Sequence, residues 1–256
     1  MNPVAFNVFG LSVRWYGLFI AMGMALAIIL AKYTCKYRGV NYESLLDVVL
    51  ISLPIGIIGA RLYYVAFELD SYKNNLIEIL DIRAGGLAIH GGIIFALISA
   101  FIVARHKKMN FFKMADAAAP TIIIAQAIGR WGNFFNSEAH GGAVSYNFIQ
   151  NFPYFIQQGM HIEGIYYHPT FLYESLWDFT VFIILMIILR RNKKVGIVFF
   201  TYIGLYSIGR FFIEGLRTDS LMVGQFRIAQ LVSLSGVVIW VGYLIFIKYR
   251  SKVDYK

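Results

Sequence analysis

The chain has 256 residues, of which 59% are hydrophobic and only 14% charged, and its mean hydropathy is +0.63. That is too apolar for a soluble domain of this length, so the composition describes an integral membrane protein. The formal charge of +9 is distributed as a membrane-orientation signal rather than as a nucleic-acid surface, and the single cysteine, Cys35, excludes an internal disulfide and a multi-cysteine metal site.

A hydrocarbon layer about 30 Å thick needs roughly 20 mostly apolar residues per helix. In chain order the qualifying stretches are 15–33, 45–67, 87–105, 112–131, 170–190, 195–213 and 225–247. They predict an all-α architecture of seven transmembrane helices, with Asp116 and Pro120 interrupting the fourth near its start. The alternation of a membrane β-barrel is missing. Met1 to Val13 lack a basic start and no small-residue cleavage pattern follows, so the first helix is expected to stay attached. The expected organisation is one polytopic membrane domain over 1–256, with an outer insertion at about 141–168 that carries Gly141, Tyr146, Pro153, Tyr154 and Gly164. No inverted repeat of the transporter kind is visible.

Lysine and arginine placement orients these spans with the N-terminus outside and the C-terminus cytoplasmic. The inner segments then hold 15 cations, namely Lys32, Lys36, Arg38, Arg105, Lys107, Lys108, Lys113, Arg190, Arg191, Lys193, Lys194, Lys248, Arg250, Lys252 and Lys256. Their anions are Glu43, Asp47, Asp116 and Asp254, whereas the outer half has 8 cations and 10 anions. The two sets also differ in kind. The outer cations are Arg14, Arg61, Lys73, Arg83, Arg130, Arg210, Arg217 and Arg227, one lysine in all, while ten of the inner cations are lysines. A planar guanidinium fork grips phosphate oxygens at two points and an ammonium does not, so the outer face reads as a phosphate site.

The ionisable residues in or beside the spans gather at one depth: Arg61, His90, Arg130, Glu174, Asp178 and Arg210. Snorkelling to the interface is the plain alternative for Arg61, Arg14 or Arg227 taken singly. Helical spacing puts Tyr206, Arg210, Glu214 and Arg217 on one face, and Gln126 with Arg130 on another. Arg210 and Glu214 also suit an ordinary i,i+4 ion pair, but that pair leaves unexplained a second arginine at equal depth on another helix. His90 sits in Gly85-Gly86-Leu87-Ala88-Ile89-His90-Gly91-Gly92, where glycines admit close approach by another molecule or by backbone. It reads either as a hydrogen-bonded packing residue or, beside a phosphate site, as an acid-base catalyst. His140, His161 and His168 are scattered over the outer insertion without metal-ligand spacing, so neither metal nor cofactor is expected.

The run Gly129-Arg130-Trp131-Gly132-Asn133-Phe134-Phe135-Asn136-Ser137-Glu138-Ala139-His140-Gly141 resembles the signature of the bacterial prolipoprotein diacylglyceryl transferases at every specified position. His90-Gly91-Gly92, His168-Pro169-Thr170-Phe171-Leu172-Tyr173-Glu174, the segment from Gly209 to Arg217, and Trp15-Tyr16-Gly17 agree as well, so the resemblance spans nearly the whole chain. It implies an enzyme of the cytoplasmic (inner) membrane. The reaction it implies moves the sn-1,2-diacylglyceryl group of phosphatidylglycerol to the lipobox cysteine of a prolipoprotein and releases glycerol 1-phosphate. On that reading His90, Arg130 and Arg210 are catalytic. Tyr16, Arg61, Asn133, Asn136, Glu138, Tyr206, Glu214 and Arg217 bind substrate, and Cys35, on the inner side, is not the acceptor. The alternatives from other classes are a phospholipid or small-anion transporter and a lipid-binding membrane protein without transferase chemistry. The chain departs from the pattern at Phe95, where a small residue is common, so helix packing is expected to differ there. The outer insertion is also short beside that of larger members.

Overall fold

The protein is described from a computed structural model covering residues 2–73, 75–81 and 85–253. Arg83, Asp254 and Lys256 of the orientation pattern lie outside the described residues, as does the side chain of Lys252. Strands β1 (Val4–Val8) and β2 (Leu11–Arg14) form an antiparallel hairpin that runs directly into α1 (Trp15–Arg38). Next come α2 (Tyr42–Phe67), the single turn α3 (Leu69–Tyr72), a 3-10 turn at Leu76–Leu80, α4 (Ile89–His106) and α5 (Phe111–Asn136). Between α5 and the next long helix lie β3 (Ala143–Val144), α6 (Tyr146–Ile149), α7 (Tyr154–Gly159), β4 (His161–Ile162) and β5 (Ile165–Tyr167). Then follow α8 (Thr170–Arg191), α9 (Ile197–Glu214), the hairpin β6 (Met222–Val223) and β7 (Phe226–Arg227), and α10 (Ile228–Val253).

Seven of these helices are long and apolar enough to cross a membrane, one for each predicted span. The chain is therefore a mostly helical multi-pass membrane protein. Three ends were placed short: α1 runs to Arg38, α5 to Asn136 and α10 to Val253. An apolar window stops at the first polar cluster, whereas i to i−4 hydrogen bonding does not. The short strands are an addition to the all-α expectation. The connecting loops pair their backbone groups locally, as buried or interfacial N–H and C=O groups must.

The chain resolves into two compact units, Gly39–Met114 and Met1–Arg38 with Ala115–Lys256. In the first, α2 and α4 pack along small residues. A Cβ added at Gly91 would collide with Tyr63 and the carbonyl of Gly59, and one at Gly59 with the ring of Phe95. Backbones this close are the small-residue mode of helix association in lipid. Gly91, directly after His90, thus serves helix packing, and the unusual Phe95 is accommodated by Gly59 opposite it. Ser52 and Ser99 share a buried hydrogen bond of 3.2 Å across the same seam.

In the second unit Ala119 and Ile123 of α5, Val181, Leu185 and Leu189 of α8, and Ile197 and Val198 of α9 make the buried core. The outer insertion is a folded cap with its own cluster of Ile149, Ile156 and Met160 on Phe134 and Phe171. The two residues that seemed to interrupt the fourth span are both inside α5. Asp116 is paired: its Oδ2 lies 3.0 Å from Arg38 Nε, and its two oxygens accept the N–H groups of Gly196 (2.8 Å) and Phe199 (2.9 Å) at the start of α9. Arg38 in turn donates to the carbonyls of Leu189 (3.3 Å) and Asn192 (2.7 Å) at the end of α8. Each charge therefore meets the helix end whose dipole it complements. Both residues, counted as inner-surface charges in the orientation pattern, are buried. Since one is a cation and the other an anion, the bias survives their removal. Cys35 is also buried, at 1% exposure.

Candidate active site

The site grows from the neighbouring ends of three helices in the second unit. Arg130 lies near the end of α5, Glu174 in the first turns of α8, and Arg210 in the last turns of α9. Glu174 Oε1 stands 2.7 Å from Arg130 Nη2 and 3.1 Å from Arg210 Nη1. Arg210 Nη2 reaches Glu214 Oε2 at 2.6 Å, the i,i+4 pair the spacing predicted. The arginines therefore do meet, and they meet on one buried carboxylate. Their own side chains keep 21% and 18% exposure, so the cluster opens on its cationic side. Tyr206 accepts a long hydrogen bond of 3.5 Å from Arg130 Nη2, and Tyr202 donates to Gln126 at 3.1 Å. Tyr16, in the first turn of α1, lies against Gly132 of α5.

Three of the residues expected to touch substrate are occupied in building the frame. Asn133 and Asn136 donate to Glu138 Oε1 at 2.9 and 3.4 Å, and the Glu138 N–H returns to the Asn133 carbonyl at 3.1 Å. This locks a turn in which Ser137 and Ala139 both adopt left-handed backbone, φ 53° and 56°. The signature thus turns the chain sharply after α5 and leaves Asn136 Oδ1 buried without a partner among the described residues. Gly141 closes the turn: its N–H donates to His168 and the Gly142 N–H to Leu216, each at 3.0 Å, where a Cβ on Gly141 would strike His168. Thr170 Oγ1 donates to the Ala139 carbonyl at 2.6 Å. The cap and the segments entering α8 and leaving α9 are thereby stitched together. His168 faces Tyr173 Oη at 3.3 Å, and burial pushes its pKa below the usual imidazole range.

Two arginines differ from expectation. Arg217 lies beyond the end of α9, and Asp219 grips it at two points, Nε to Oδ1 at 2.9 Å and Nη2 to Oδ2 at 2.7 Å. Glu214 is farther from it, at 3.9 Å. That two-point hydrogen bond holds the Asp219 carboxyl below the usual carboxylate range. Arg61, in the other unit, is buried and donates to the carbonyls of Glu78 (2.6 Å), Ile79 (2.8 Å), Gly85 (2.8 Å) and Gly86 (3.1 Å). Four of its five N–H groups are used, so it fastens a loop where the sequence reading expected it to bind substrate. His90 lies in the first turn of α4, half-buried and without a hydrogen-bond partner among the described residues.

The reading from sequence placed Glu174 and Asp178 at the depth of the arginines but gave Glu174 no role as their common partner. Asp178 is fully buried, and neither oxygen has a hydrogen-bond partner among the described residues. Arg227, which snorkelling would explain, instead donates to the Glu214 carbonyl and helps Gln230 finish the end of α9.

Fold and site together define a class: a multi-pass membrane protein whose helix ends hold arginines in an apolar setting, poised on carboxylates. Comparison with known proteins narrows that class. The family model described as prolipoprotein diacylglyceryl transferase matches residues 3–246. A phosphatidylglycerol–prolipoprotein diacylglyceryl transferase of Clostridium kluyveri is 60% identical over 98% of this chain and 99% of its own length. One from Clostridium botulinum is 58% identical over 95% of this chain and 96% of its own. The chain belongs to the prolipoprotein diacylglyceryl transferase family.

Proposed function

We propose that the protein transfers the diacylglyceryl group of phosphatidylglycerol to the lipobox cysteine thiol of a prolipoprotein, forming a thioether and releasing glycerol 1-phosphate. The observation that carries this reading is the meeting of Arg130 and Arg210, from separate helices, at one end of a single helical unit. In the reaction the sulfur attacks the glycerol carbon and the carbon–oxygen bond breaks toward phosphate. Negative charge then grows on the departing glycerol phosphate, and pre-aimed guanidinium groups lower the barrier most where charge develops. Glu174 and Glu214 orient the forks, Tyr206 and Tyr16 flank Arg130, and the Asn133–Glu138 turn fixes the end of α5. A free thiol has a pKa near 8.5, so a base speeds formation of the nucleophile, and His90 is assigned that proton.

The charge pattern supports a chain with its N-terminus outside and its C-terminus cytoplasmic, in a bacterial inner membrane, with the site facing the extracytoplasmic side. There an anionic lipid enters laterally and a secreted peptide arrives from outside. The test gives purified protein, phosphatidylglycerol with labelled acyl chains, and a lipobox peptide. Label should move to the peptide cysteine as glycerol phosphate appears, and no transfer would leave binding or transport. His90→Gln should lower the transfer rate by about 10²-fold or more with little change in the KM for lipid. Full activity in that variant would remove His90 from the chemistry.

A further inference from the structure

We infer that Glu174 is an internal counter-ligand: it holds the guanidinium atoms that a lipid phosphate must take, and phosphate binding displaces it from them. The inference rests on the proposal that Arg130 and Arg210 bind the phosphate. A guanidinium offers two-pronged edges, Nε with Nη2 and Nη1 with Nη2, so Nη2 belongs to both. In Arg130 that atom forms an ion pair with Glu174 Oε1 at 2.7 Å and donates a long hydrogen bond of 3.5 Å to Tyr206 Oη, so protein groups already crowd the nitrogen common to both edges. In Arg210, Nη1 faces Glu174 and Nη2 faces Glu214, leaving only Nε without a carboxylate. An incoming phosphate that takes either two-pronged edge of these arginines must therefore share a guanidinium nitrogen with a carboxylate already beside it.

Of the two carboxylates, Glu174 is the one whose departure frees donors on both arginines at once. Glu214 is four residues from Arg210 on the same helix, and its departure would free Arg210 alone. Glu174 also has an unfavourable neighbour, because Asp178 puts a second acid on the same face of α8 one turn deeper. Its side chain is 3% exposed while the arginines are about a fifth exposed, so a phosphate reaches the guanidinium groups first and competes there with Glu174 for their donors. Exchange of one anion for another at the guanidinium groups keeps each of them facing a negative group before and after binding. It also keeps the arginines from resting as uncompensated cations in an apolar setting.

The sign of one substitution separates this role from simple positioning. Glu174→Gln removes the competing charge and keeps the shape. It should bind sn-glycerol 1-phosphate and short-chain phosphatidylglycerol at least about fivefold more tightly by titration calorimetry in detergent. Its melting temperature without ligand should fall. Weaker or unchanged binding of either probe would overturn the inference, since a residue that merely positions the arginines must weaken binding when neutralised. If Glu174→Gln does not fold, Glu174→Asp, which withdraws the carboxylate by one methylene, should show the same direction, and its failure to do so counts equally against the idea. Arg130→Ala and Arg210→Ala serve as the parallel arm. Binding at the wild-type level in both would sink the phosphate site itself, whatever Glu174 does.

Discussion

Replacing Arg130 or Arg210 by alanine is expected to lower the rate of diacylglyceryl transfer by about 10²–10³-fold, the usual consequence of removing one pre-aimed donor from a developing anion. Neither change should prevent insertion. Glu174 has two arginine partners, so each single variant leaves it one, while Arg210→Ala also leaves buried Glu214 with only Arg217 at 3.9 Å and should cost the more stability of the two. The lysine variants are the sharper test. Lysine brings a charge but no planar fork, and it cannot face Glu174 and a second acceptor in the geometry Arg130 adopts. Arg130→Lys and Arg210→Lys should therefore stay impaired by at least about tenfold in kcat/KM, measured with labelled phosphatidylglycerol in variants whose melting temperature and elution volume match wild type. Full activity in both would show that positive charge alone suffices and that the fork has no role.

Much of this arrangement is legible in the sequence because membranes constrain helices so tightly. Each long apolar run corresponds to one helix, and the helical spacing of Arg210 and Glu214 correctly gives their ion pair. The convergence of Arg130 with Arg210 follows from shared depth and from a rare excess of arginine over lysine. What stays hidden is the choice of partner across the fold. Glu174 is 36 residues from Arg210 and looks in sequence like one more acid at a helix start. A physical hint was available, since Glu214 can compensate only one of two arginines at one depth, and Glu174 and Asp178 stood at that depth to serve the other. Arg61 could not be assigned because its acceptors are backbone carbonyls of a loop, which carry no residue signature. Arg217 was placed on a helix face by periodicity, but α9 ends at Glu214, and beyond that point Asp219 decides where the guanidinium goes.

The second large effect is expected at the other end of the same helices. Asp116→Ala removes the acceptor of two α9 N–H groups and leaves Arg38 buried without a counter-charge, facing only the carbonyls of Leu189 and Asn192. Breaking one member of a buried ion pair typically costs about 3–5 kcal/mol, because the remaining charge loses its compensation. For a protein of this size that corresponds to a fall of about 10 °C or more in melting temperature. Arg38→Ala should cost about as much, since it also strips the carbonyls of Leu189 and Asn192 at the end of α8. The double variant Arg38→Met, Asp116→Leu should be milder than the sum of the two single changes, because no lone charge stays behind. Since α8 carries Glu174 and α9 carries Arg210, loosening their shared turn should also reduce transfer in step with the lost stability. A thermal-melt series in detergent with transfer assayed on the same preparations measures both. If the single changes leave the melting temperature within a degree or two of wild type, the pair does not hold the α8–α9 turn, and the helices must owe their register to the core of Val181, Leu185 and Val198 instead.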